Sequence, residues 1–233
     1  HSNGYKVWPM ISNAEAGIKI TSTILNSYTK RQELIESIVD KCAQYDIDGI
    51  NVDFENIYEA DKDKYSRFII ELVPRMLEMK LVTSVDVTAP DGSPDWSLCY
   101  NRNEIAKAAD YIVFMGYDQN GISSPKEGTT AGCDWVEANI NKFLKQEEVP
   151  SEKLILGAPF YTRLWTEKNG SIDSKVVFMN EIKQTLPENA TITWDDSLKQ
   201  NYAEYTKNGK TYKMWIEDTK SLTYKLNLVN TYN

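Results

Sequence analysis

The chain of 233 residues is 41% hydrophobic and 26% charged, with a formal net charge of -8 at pH 7. That length allows one to two domains with a sizeable core, and the acidic balance excludes a nucleic-acid binder built on a basic footprint. No apolar stretch reaches the roughly 18 residues of a membrane-spanning helix, and three scattered cysteines (Cys42, Cys99, Cys133) exclude a disulfide scaffold or a Cys-based zinc site. No charged-then-apolar leader opens the sequence, which therefore reads as mature or processed.

Apolar, β-branched runs bounded by turn residues predict strands over 5–13, 49–55, 81–89, 111–118 and 153–161. Helix-period segments lie between them. Leu34, Ile35, Ile38, Val39 and Cys42 follow Thr29 as N-cap, and Tyr65, Phe68, Ile69, Leu72, Val73 and Met76 form the second stripe. Ile105, Ala108 and Ala109 predict a short third helix, and Trp135, Val136, Ile140, Phe143 and Leu144 a fourth. Strand alternating with helix reads as βαβ units and a parallel sheet. Residues 166–213 are polar and rich in Asn, Lys and Thr, with strand-like pieces at 191–194 and 211–215 and a helix near 179–186. They predict a small α+β insertion; 1–165 and 214–233 form the main layer, closed by a helix over 221–232 with Leu222, Leu226 and Val229.

Strands buried on both faces are almost uniformly apolar. Here polar groups gather at the strand ends: Asn13, then Asn51, Asp53 and Glu55, then Asp86 and Thr88, then Tyr117 and Asp118, then Tyr161. The C-terminal edge of the sheet is where α/β proteins build their sites. In the segment Asp48-Gly49-Ile50-Asn51-Val52-Asp53-Phe54-Glu55, alternation puts Asn51, Asp53 and Glu55 on one face and Ile50, Val52 and Phe54 on the other. Side chains two apart on a strand stand roughly 6.5–7 Å apart, close enough to couple. Partial burial beside a like charge raises one pKa of such a pair and keeps a carboxylic acid ready for general-acid work.

The rival readings are surface carboxylates, partners of a buried Arg (Arg67 or Arg163), or a divalent metal held by Asp53, Glu55 and Asp118. His1 is the only histidine, at the chain end, which disfavours zinc, iron and a catalytic triad. No cofactor loop or nucleophile elbow is present. The fourteen Tyr and six Trp supply amphipathic rings suited to a flat, partly polar ligand such as sugar, once the core has taken its share.

The strand 48–55 resembles the D-G-x-D-x-D-x-E signature of glycoside hydrolase family 18, the chitinase-like enzymes. Three further segments agree in order and spacing: Met115-Gly116-Tyr117-Asp118 with M-x-Y-D, Leu156-Gly157-Ala158-Pro159-Phe160-Tyr161 before Arg163 and Trp165, and Trp215-Ile216-Glu217-Asp218 with Ser221 and Lys225. Ile11-Ser12-Asn13 ends its strand in Asn, similar to the bacterial spore and cell-wall peptidoglycan N-acetylglucosaminidases. The resemblance implies a (β/α)8 TIM-barrel fold, no cofactor, a polysaccharide substrate (peptidoglycan or chitin-like), and an extracellular, wall- or spore-associated setting.

It further implies that Glu55 is the general acid and later base, and that Asp53 orients the substrate 2-acetamido group for attack on the anomeric carbon, with net retention. Tyr117 would hydrogen-bond the acetamido oxygen, Asp118 would bind sugar near the cleavage point, and Met115 would floor the pocket. Core filling remains an equal reading for Met115, as does packing for Tyr161 and Trp165, and Trp215 reads as structural. Asn51 replaces an Asp of the family signature; an amide hydrogen-bonds but cannot share a proton, which implies a shifted pH optimum with activity kept. The strand at 5–13 lacks S-x-G-G, favouring the peptidoglycan-type branch. A carbohydrate-binding protein without turnover is the alternative function; in such relatives the signature Glu is typically lost, and Glu55 is intact.

The five strand centres average about 37 residues apart, so eight such units need roughly 300 residues, more than this chain holds. The expectation is an incomplete barrel of the family's third to seventh strands, with open edges prone to self-association.

Overall fold

The computed structural model describes residues 3–232; His1 lies outside the described residues. Strand β1 (Met10–Ser12) leads into α1 (Gly17–Leu25) and α2 (Tyr28–Gln44), followed by β2 (Gly49–Asp53), α3 (Lys62–Glu78), β3 (Val82–Val87), α4 (Arg102–Ala108) and β4 (Tyr111–Met115). Next come α5 (Cys133–Lys145) and β5 (Leu154–Gly157). The sheet order is β1-β2-β3-β4-β5, with β1 to β4 pairing in parallel. Among the described residues the sheet has five strands and does not close on itself.

Each strand is shorter than its apolar run predicts; Asn13, Glu55, Thr88, Tyr117 and Asp118 lie beyond the last strand residue, whereas Asp53 and Asp86 are still paired within the sheet. The core sits between the sheet and its helices: Ile50, Val52, Val85 and Val87 are buried with Phe68, Ile69, Leu72 and Met76 of α3. Phe54 stacks on Tyr65 and Phe68. Gly49 is required by close approach, since a Cβ there would stand 2.5 Å from the Val82 carbonyl oxygen.

Two helix expectations change. The N-cap of α2 is Ser27, extended at φ -112° and ψ 119°, whose hydroxyl accepts from the Lys30 amide; Thr29 already lies inside the first turn. Helix α1 was not anticipated. Its β-branched residues (Ile18, Ile20, Thr21, Thr23, Ile24) mask the helical period, and Ala16 at its start offers no capping side chain.

The predicted strand 153–161 divides: β5 ends at Gly157, and Tyr161 opens β6 (Tyr161–Lys168). There follow β7 (Ser171–Phe178), α6 (Ile182–Thr185), β8 (Thr191–Asp195), β9 (Gln200–Lys207), β10 (Lys210–Ile216) and α7 (Thr219–Tyr232). These strands form an antiparallel sheet in the order β7-β6-β10-β9-β8 over a small core of Leu164, Val177, Ala203, Tyr205, Met214 and Ile216. Asn169-Gly170 and Asn208-Gly209, all at positive φ, make the two-residue turns of the β6–β7 and β9–β10 hairpins. The chain forms two compact units, one of residues up to Met115 with Lys142–Ile155, the other of Gly116–Asn141 with Leu156 onward.

Candidate active site

In the first unit the end of β2 carries the carboxylates. The parallel register sets Asn51 beside Ser84 and Val52 beside Val85, so that Asp53 and Asp86 follow on one face. Asn51 Nδ2 donates to Asp86 Oδ2 at 2.7 Å, and the Ser84 hydroxyl donates to Asn51 Oδ1 at 2.6 Å. Ser84, Asn51 and Asp86 thus form one chain of hydrogen bonds across two strands. Asp53 Oδ1 is buried and has no hydrogen-bond partner, and burial pushes the Asp53 carboxyl above its usual range. Burial pushes Asp86 up to about 6, opposed by the Asn51 hydrogen bond and reinforced by the charge of Asp53.

Glu55 lies just past the last residue of β2, where its backbone is held from both sides. Its N–H donates to Asn13 Oδ1 at 2.9 Å, and Asn13 Nδ2 donates back to the Glu55 carbonyl at 2.9 Å. Asn13 Nδ2 also reaches Thr21 Oγ1 at 3.0 Å. The Tyr100 hydroxyl donates to the Phe54 carbonyl at 2.8 Å. The chain then turns sharply at Asn56, φ 51°. An amide and a phenol therefore continue the ladder that the strand itself has ended, and fix the peptide from which Glu55 projects.

The second unit holds a different cluster. Asp118 sits at φ 55°, a left-handed conformation that presents its carboxylate. The Tyr161 hydroxyl donates to Asp118 Oδ1 at 2.8 Å, and Arg163 Nη2 stands 3.8 Å from the same oxygen. Burial, then the Asp118 carboxylate, pushes the Tyr161 phenol upward. The ring of Tyr117 meets that of Tyr161 edge-on, centroids 6.4 Å apart. Trp165 is 2% exposed and its indole N–H donates to the Gly128 carbonyl, which places the ring in the packing of this unit. In the first unit, Met115 at the end of β4 is buried as well.

The motif at 215–225 builds a buried network. Glu217 accepts from Lys225 Nζ at 2.9 and 3.1 Å, from the Ser221 hydroxyl at 2.8 Å and from Gln200 Nε2. It anchors α7 to the strand before it.

Neither arginine considered as a carboxylate partner pairs with Asp53. Arg67 binds Glu71 at 2.8 Å, and Arg163 faces Asp118 and Ser174. Among the described residues no group of three or more His, Cys, Asp or Glu is arranged to hold a metal ion, and no helix is long and apolar enough to cross a membrane. Sequence reasoning passed over Ser84 and Tyr100 and left Asn13 and Asp86 without roles. The alternation of Ser84 with Asp86 was a readable signal; Tyr100, far along the chain in a turn, carried none.

The family model described as glycosyl hydrolases family 18 matches residues 1–233. The chain is 27% identical to the uncharacterised glycosylase YvbX of Bacillus subtilis over 97% of its own length and 68% of that protein. It is 23% identical to the cortical fragment-lytic enzyme of Bacillus subtilis, covering 90% of this chain and 50% of that enzyme, so it spans about half the relative's length. The crystal structure of YdhD from Bacillus subtilis superposes with a TM-score of 0.90 at 25% identity, covering 99% of this chain and 78% of that one. A carboxylate-bearing strand end on a parallel sheet, matched along the whole sequence by one family, decides the assignment: the chain belongs to the glycosyl hydrolases of family 18, a TIM-barrel-like class of glycosidases.

Proposed function

We propose that the protein cleaves β-1,4 bonds of N-acetylglucosamine-containing glycan, with peptidoglycan as substrate, by a retaining, substrate-assisted mechanism. One observation carries this reading: Glu55 projects from a peptide clamped by Asn13 and Tyr100, two residues after an Asp53 whose buried Oδ1 has no partner. A rigidly held carboxyl suits an acid that must meet a glycosidic oxygen and later activate water. An acceptor oxygen without a donor suits the N–H of a substrate acetamido group, which Asp53 orients so that its carbonyl attacks the anomeric carbon. Tyr117 and Asp118 take the acetamido-binding and sugar-binding roles that family membership implies, with Met115, Asn51 and Tyr161 in support. The burial of Trp165 favours packing over sugar stacking. The cortical fragment-lytic relative supports peptidoglycan as substrate and a spore or cell-wall setting. The open five-stranded sheet supports the reading of these strands as the third to seventh of a barrel.

The test is Glu55→Gln in the full-length protein, assayed on peptidoglycan and a chitooligosaccharide. Loss of the acid is expected to lower kcat by about 10²–10⁴-fold; undiminished hydrolysis overturns the assignment and leaves a sugar-binding protein. Mass spectrometry with anomer analysis of the first product is expected to show retained configuration, and activity is expected to survive EDTA.

A further inference from the structure

Asp86 has no role in the scheme above, yet it is 8% exposed and neighbours Asp53 across the sheet. Two carboxylates on one buried face cannot both ionise cheaply. We infer that Asp86 is the proton-holding partner of Asp53, a positioning residue that acts through Asp53 by deciding whether it stands beside a neutral acid or a second anion. The inference rests on the proposed reading that Asp53 and Glu55 carry the reaction.

Three observations support it. First, Asp86 is held in place: Asn51 donates to its Oδ2, and Ser84 occupies the other end of the Asn51 amide. Second, no cation neutralises the pair, since no ion pair among the described residues includes Asp53 or Asp86. The groups facing Asp86 are Asn51 and Asp53 from β2, Ser84 on its own strand, Val113 opposite on β4, and Tyr65 from α3. The Tyr65 hydroxyl is buried without a hydrogen-bond partner, and the charges of Asp86 and Asp53 both push its ionisation upward. It therefore stays neutral and adds no charge. Third, Asp86 is the more deeply buried of the two carboxyls, and burial raises it to about 6. Below about pH 6 Asp86 therefore keeps its proton and stands beside Asp53 as a neutral acid. Release of that proton to solvent puts two negative charges on one face, and the remaining carboxyls then hold their own protons more tightly.

Three variants of the full-length protein test this on a chitooligosaccharide, with pH profiles of kcat and kcat/KM. The alkaline limb reports loss of the general acid's proton. Asp86→Asn keeps shape and hydrogen bonding but removes the negative charge, so the limb is expected to move down by about one pH unit. The swap Asn51→Asp with Asp86→Asn returns a carboxylate to the same face and is expected to move the limb back. A merely structural Asp86 would change melting temperature and leave both limbs in place, which overturns the inference. Should Asp86→Asn fail to fold, Asn51→Asp alone decides: an added carboxylate against Asp86 is expected to raise the limb, and a profile overlaying the parent's overturns it. Failure of the underlying reading is separately visible, because Glu55→Gln then keeps hydrolysing at every pH.

Discussion

Asp86 links the candidate site to the pH dependence of folding. Its folded carboxyl titrates near 6 against an unfolded value of 3.8, so the native state binds more protons than the unfolded chain between those values. Stability therefore falls as pH rises through that window, with up to about 3 kcal/mol lost above it. Asp86→Asn removes the effect: urea titrations near pH 4 and near pH 7 are expected to show a smaller loss for the variant than for the parent, and equal losses contradict the assignment. Tyr100 is the complementary case. Tyr100→Phe leaves the buried Phe54 carbonyl without its donor, which is expected to cost about 1–3 kcal/mol in denaturation and to lower kcat by loosening the Glu55 peptide. At this scale alternation on a strand shows that Asn51, Asp53 and Glu55 share a face, while the partner of Asp86 was not legible. Nor was the clamp: Asn13 and Tyr100 reach Glu55 and Phe54 from 42 and 46 residues away.

Elements were legible where one physical signal dominated. The strands of the first sheet and the helices α2 to α5 announce themselves by apolar runs and helical period, whereas α1 hides behind β-branched residues. The stretch after Tyr161 forms the strands β6 to β10, where the residues predict a small α+β insertion with strand-like pieces at 191–194 and 211–215, because a sheet with one face toward water needs only alternate apolar residues. Its Asn-Gly turns were the stronger signal for the two hairpins. The junction of β10 and α7 depends on a charge pair that is fully buried, Glu217 with Lys225. Lys225→Met leaves Glu217 as an uncompensated buried carboxylate and is expected to destabilise the fold by about 3–5 kcal/mol in thermal or chemical denaturation. A loss under about 1 kcal/mol would show that Ser221 and Gln200 suffice.

For the molecule as a whole, the open parallel sheet carries the main consequence. Among the described residues strand β1 has a neighbour on one side only, and beside it lies a cavity of about 320 Å³ lined by Pro9, Ile11, Leu34, Ile38, Tyr45 and Ile50. An unpaired edge next to apolar surface invites pairing with another chain. The isolated chain is expected to self-associate with rising concentration in sedimentation velocity, and Ile11→Lys to suppress it; a strict monomer at every concentration contradicts the expectation. The sequence by itself determined the α/β class, the carboxylate strand and the family, because local periodicity and residue spacing survive in one dimension. Only the tertiary structure decided which groups tune those carboxylates. Hydrogen bonds from Asn51 to Asp86 and from Asn13 to Glu55 join strands far apart in the chain, and burial, which sets the proton affinity of Asp86 and Asp53, is a property of packing that no single segment contains.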